Sequence, residues 1–152
     1  MAVYFFDSSA LVKRYIAETG SGWVSGLTDP TAGNKNFIAG ITVVEVVSAL
    51  ARRARAGHLS SSDKALVWRH LQSELPKFFQ SVDVTRNLLA DAANLADKYA
   101  LRGYDAVQLA AAREVNYDCL TLGLVLTVIS SDKALNKAAA LEGLAVDNPD
   151  NH

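Results

Sequence analysis

Four acidic residues of this 152-residue chain stand where a carboxylate could do chemistry: Asp7, Glu45, Asp105 and Asp132. Asp7 closes the apolar run Val3-Tyr4-Phe5-Phe6 and leads through Ser8 and Ser9 into a helical pattern of Leu11, Val12, Tyr15 and Ile16. Such a run reads as a strand buried on both faces, and its end lies on the carboxyl edge of an α/β sheet, where ligands bind. Asp132 repeats the arrangement after Leu126-Thr127-Val128-Ile129-Ser130-Ser131. Glu45 lies among valines in Thr42-Val43-Val44-Glu45-Val46-Val47, and Asp105 opens the small, apolar segment 106–112.

Each acid also has an ordinary structural explanation. Asp7 or Ser8, and Ser131 or Asp132, are good helix N-caps. Thr42 and Glu45 have the spacing of a capping box, and Asp105 suits the positive end of a helix dipole. The set says more than its members. Parallel strands would bring three of the four to one edge, where crowded carboxylates must take up protons or a cation. No His or Cys accompanies them, and an all-oxygen donor set suits Mg²⁺ or Mn²⁺. Mg²⁺ usually completes its shell with substrate phosphate, which points to metal-assisted phosphodiester hydrolysis.

The elements needed to hold these acids follow from patterning. Strands are expected at 2–6, 37–41, 78–84, 124–130 and 144–146, with helices at 10–17, 23–27, 42–57, 60–75, 85–101, 105–114 and 132–141. Alternation of this kind predicts an α/β domain with a mostly parallel central sheet covered by helices on both faces. Residues 1–148 form the expected single domain and 149–152 a C-terminal tail.

Composition narrows the classes. Half the residues are hydrophobic and a fifth charged, which suits a globular domain and not a disordered chain. Net charge −1 gives no overall pull toward nucleic acid, so any such affinity is local. Cys119 is the only cysteine, which excludes an internal disulfide and a cysteine zinc site. No run approaches a membrane span and no signal-peptide pattern opens the chain, so a cytoplasmic setting without membrane contact is expected.

In order, Phe6-Asp7-Ser8-Ser9-Ala10-Leu11-Val12-Lys13, Thr42-Val43-Val44-Glu45-Val46, Arg102-Gly103-Tyr104-Asp105-Ala106-Val107-Gln108-Leu109-Ala110 and Ile129-Ser130-Ser131-Asp132-Lys133-Ala134-Leu135 resemble the PIN-domain family, and within it the VapC-type toxins of toxin–antitoxin systems. The resemblance spans essentially the whole chain. It implies a three-layer PIN-like fold with Asp7, Glu45, Asp105 and Asp132 as Mg²⁺ or Mn²⁺ ligands, supported by Ser9 and Ser130. It further implies a ribonuclease selective for single-stranded RNA or tRNA, an antitoxin that plugs the site with a basic side chain, and a homodimer. Among basic residues, Lys13 and Arg14 are candidates for RNA phosphates, whereas Arg52, Arg53 and Arg55 read as a solvated face. Trp23 and Trp68 read as core or interface. The stretch 118–126 is longer than the family's pattern.

Four other readings compete. A haloacid-dehalogenase-type phosphatase needs a second aspartate where Ser9 stands. A dinucleotide-binding domain needs a Gly-x-Gly-x-x-Gly after the first strand, which is absent. A PIN nuclease of RNA processing and a catalytically silent PIN-fold binding module remain as alternatives. A silent copy would have no need for four uncompensated carboxylates.

Overall fold

Strand β1 (Val3–Phe6) lies at the centre of a five-stranded sheet, with β2 (Lys35–Ala39) and β4 (Leu126–Ile129) on its two sides. The edges are β3 (Gln80–Val82) beside β2 and β5 (Ala145–Asp147) beside β4, and every pairing is parallel. The computed structural model describes all 152 residues. Seven helices connect and cover the sheet: α1 (Ser8–Leu11), α2 (Ser21–Leu27), α3 (Thr42–Arg55), α4 (Ser61–Phe78), α5 (Arg86–Tyr99), α6 (Gly103–Thr121) and α7 (Lys133–Leu141).

Successive side chains of a strand point to opposite faces, and β1 divides its residues accordingly. Val3 and Phe5 join the core built with α5, α6 and α7, while Phe6 joins the core built with α1, α2, α3 and α4. Because both faces are covered, these strands are near-continuously apolar. Helix α6 carries the longest buried run: every residue from Ala106 to Ala112 is buried.

Several boundaries differ from the sequence reading. Helix α6 runs to Thr121, not to 114, so the long stretch after Asp105 is largely about two further half-apolar turns, followed by Gly123 with φ 69°. Helix α4 passes through Pro76 to Phe78, and β3 starts only at Gln80. Proline costs the helix its bond to the Gln72 carbonyl, but Gln72 is exposed and solvent can take that group. The first helix is one α turn followed by a 3₁₀ turn, Val12–Arg14, which ends short of Ala17.

The segment expected as a tail is docked. Pro149–Asn151 form a 3₁₀ turn, Pro149 is buried, and the His152 ring stacks on Trp23 at 3.9 Å. Gly20 permits this approach: its φ is 82°, and a Cβ there would fall 2.2 Å from the Pro149 carbonyl oxygen.

Candidate active site

The carboxyl edge of the sheet opens into one cleft of about 550 Å³, and Asp7, Glu45, Asp105 and Asp132 all line it. The parallel order explains the gathering. Asp7 leaves the end of β1, Asp132 follows β4 on one side of it, and Glu45 sits in the first turn of the helix after β2 on the other. Asp105 arrives on the first turn of α6, which packs beneath them.

Asp7 is 3 % exposed and is held by neutral donors. Its Oδ1 accepts the Ala10 backbone N–H at 2.9 Å and the Ser9 hydroxyl at 2.7 Å, and its Oδ2 accepts the Ser130 hydroxyl at 2.7 Å. The Ser9 oxygen in turn accepts the Ser131 N–H at 2.9 Å, tying the end of β1 to the end of β4. Burial pushes the Asp7 carboxyl up to about 6 from its ordinary 3.8, against the lowering effect of the bonds from Ser130, Ser9 and Ala10, with Glu45 adding charge repulsion. The carboxyl is buried and no basic side chain pairs with it.

Glu45 shares that condition. Its Oε2 accepts the Ser8 hydroxyl at 3.1 Å and its Oε1 the Gln108 amide at 2.6 Å, and no cation pairs with it. Gln108 is buried in α6 and also donates to the Thr42 hydroxyl at 2.9 Å. The capping box is therefore not formed: Ile41 precedes the helix, and Thr42 and Glu45 are both engaged by Gln108 instead.

The other two acids share a single cation. Arg102 donates from Nε to Asp105 Oδ2 and from Nη2 to Asp132 Oδ2, each at 2.9 Å. The side chain of Arg102 is 78 % exposed, those of Asp105 and Asp132 13 % and 22 %. Asp132 also caps α7, its Oδ1 accepting the Leu135 N–H at 2.9 Å. Asp7 likewise caps α1. For these two acids the capping reading is realised through Oδ1, while Oδ2 accepts from Ser130 in Asp7 and from Arg102 in Asp132. The acids are thus not all uncompensated, as the argument against a silent module assumed; Asp7 and Glu45 are.

Ser9 and Ser130 stand beside Asp7. The basic candidates fare differently. Lys13 reaches the cleft wall but is 6 % exposed, bonded to the Thr19 carbonyl at 2.9 Å and paired with Asp150 at 2.7 Å and Glu18 at 3.7 Å. Arg14 faces away from the cleft: the 3₁₀ turn carries it to Glu74 (2.9 Å), the Thr28 hydroxyl (2.6 Å) and the Phe78 ring, so the RNA role assigned to it is withdrawn. Arg52 and Arg53, taken for a solvated face, line the cleft; Arg55 does not. Arg53 pairs with Glu18, whereas exposed Arg52 bonds only the Ser48 hydroxyl.

The residues missed from sequence are Arg102, Gln108 and Ser8. Gln108 left a signal, being the one polar residue in the run 106–112, and a buried amide needs a partner.

The donor set suits a hard divalent ion on the evidence of its charge. Asp7 and Glu45 are neighbouring carboxylates without a basic partner, one of them buried, and their oxygens are the ligand type such an ion takes. No three acids stand together as a ready-made metal-holding group. They divide into the pair Asp7 and Glu45 and the pair Asp105 and Asp132 that Arg102 occupies.

The PIN domain family model matches residues 4–141. The chain is 34 % identical over 146 residues to Ribonuclease VapC45 of Mycobacterium tuberculosis, covering 96 % of this chain and 95 % of that protein. Among solved structures it resembles FitAcB from Neisseria gonorrhoeae (TM-score 0.67, 18 % identity, 96 % and 97 % of the two chains). It also resembles a toxin-antitoxin complex from Klebsiella pneumoniae (TM-score 0.62, 20 % identity, 98 % of both chains).

Proposed function

The chain belongs to the PIN-domain family, and from that premise we propose that it is an Mg²⁺- or Mn²⁺-dependent endoribonuclease cleaving single-stranded RNA or tRNA, acting as the toxin of a toxin–antitoxin pair. The observation that carries this reading is the pairing of Asp7 and Glu45 in one cleft with no cation on either. A catalytically silent module has no use for a buried charge left in that state.

Asp7 and Glu45 would hold the ion, with Asp105 and Asp132 completing the acidic wall. When bound, such an ion supplies a water of lowered pKa and a counter-charge for the phosphate. The remaining work belongs to the chain. Ser9 and Ser130 hold the Asp7 carboxylate in one orientation, and Ser8 and Gln108 do the same for Glu45. Arg52, exposed on the cleft wall, is placed to hold an RNA phosphate, whereas Lys13 is committed to Asp150 and Glu18.

An antitoxin partner, a homodimeric state and a cytoplasmic setting belong to the same proposal. The antitoxin alone has support from the comparisons, in the ribonuclease named as a relative and the toxin-antitoxin complex of like fold. No helix is long and apolar enough to cross a membrane.

The test is incubation of the purified chain with tRNA and unstructured RNA in Mg²⁺ or Mn²⁺, with and without chelator. Cleavage that stops with chelator and is lost in Asp7→Asn is expected. Cleavage by a cleanly purified Asp7→Asn protein would overturn the assignment.

A further inference from the structure

We propose that Arg102 is a resident counter-cation on Asp105 and Asp132, and that a divalent ion held by Asp7 and Glu45 must displace it before those two acids can join the ion, so that Arg102 lowers the affinity of the site for metal. The inference rests on the metal-site reading above and adds to it a competitor built into the chain.

The geometry carries it. Two different nitrogens of one guanidinium reach two acids 27 positions apart in sequence, so the charge sits between the carboxylates, where a cation serving both would sit. Arg102 makes no other side-chain hydrogen bond or ion pair. Its side chain is 78 % exposed while both acids lie deeper, so the cation is at the mouth and can withdraw into solvent without unpacking anything. Ion pairs this open are weak, and they exchange.

The other cations of the cleft wall cannot play this part. Lys13 and Arg53 are spent on Glu18 and Asp150, and Arg52 bonds a serine. Asp7 and Glu45, by contrast, hold no cation to be displaced. Two species that compete for the same oxygens lower each other's affinity by one common factor, so removing Arg102 returns that factor to the metal.

The experiment is calorimetric titration of Mn²⁺ into the wild-type chain, Arg102→Gln and Arg102→Lys, without RNA, beside melting curves in chelator. Arg102→Gln should bind Mn²⁺ about tenfold more tightly, the worth of two partly exposed pairs, while melting lower in chelator because its acids are unneutralised. Arg102→Lys keeps the charge but not the fork that spans both acids, and should fall between the two. A residue that merely stiffened the fold would lower melting and weaken Mn²⁺ binding together. Equal or weaker Mn²⁺ binding in Arg102→Gln, with the wild type binding normally, overturns the inference and leaves the metal site standing. No Mn²⁺ binding by any of the three removes the metal reading itself, and this inference with it.

Discussion

The two halves of the cleft hold the same charge by opposite means. On the β1 side, Asp7 and Glu45 are fixed by hydroxyls, an amide and a backbone N–H, all neutral and mostly buried. On the α6 and α7 side, Asp105 and Asp132 are satisfied by a single exposed guanidinium. Neutral donors orient a carboxylate and leave its charge uncancelled, so that half is rigid and electrostatically hungry. The guanidinium offsets one of the two charges without enclosing either, so that half is less charged and exchangeable. Rigidity and neutrality are separable properties, and this cleft assigns them to different walls.

The sharpest way to break the comparison is at its most rigid point. Asp7→Asn keeps the volume and the hydrogen-bonded position but removes the charge, and cleavage should drop to the chelator-treated level. The same variant tests the cost of that charge in the free protein. A raised pKa in the fold means that the native state binds the proton more tightly than the unfolded chain, so stability is present at low pH and is lost as pH rises. The window runs from 3.8, the unfolded value, through about 6 in the fold. Across it, in chelator, the wild type should lose roughly 3 kcal/mol relative to Asp7→Asn, measured by urea titration at a series of pH values. A difference that does not vary with pH would remove the argument that Asp7 is an unpaid charge.

Smaller effects sharpen the contrast. Gln108→Ala deprives Glu45 of its shortest hydrogen bond without touching any carboxylate, and should weaken Mn²⁺ affinity or cleavage by roughly 10- to 100-fold, as loss of a ligand's supporting donor does elsewhere. Unchanged affinity would show that Glu45 needs no orienting. On the exchangeable wall, Asp132→Asn retains a good capping side chain and releases one arm of Arg102, so its melting temperature in chelator should barely move. Asp132→Ala loses the cap as well and should cost about 1 kcal/mol. If the two variants were equally destabilised, the ion pair and not the cap would be what Asp132 contributes to the fold.

The sheet and its edge were legible because they rest on short-range signals. Apolar runs ended by Asp7 and by Ser130-Ser131-Asp132 mark strands that stop at a polar edge, and a parallel order then places those ends together. What the acids bond to was less legible. Arg102 and Asp105 are three apart and could be paired from sequence, but the reach from Arg102 to Asp132 depends on how α6 and α7 pack. Lys13 and Arg14 are neighbours of equal charge, yet a 3₁₀ turn sends one to the cleft wall and the other to Glu74 and Phe78. Periodicity fixes which face a side chain takes only when the winding is known. Asp150, which occupies Lys13, lies in a segment that carries no pattern at all.

The central position of β1 has a bearing on how the molecule comes into being. The strand precedes both of its lateral partners, which are separated from it by some thirty and some hundred and twenty positions, and Asp7 meets Ser130 across 123. Contacts so distant in the chain close late. A ribosome-bound fragment ending before β4 has three of the five strands and an Asp7 without Ser130 or the Asp132 wall beside it, so its four-acid cleft is incomplete. The complete cleft exists only once the chain has been made through Asp132.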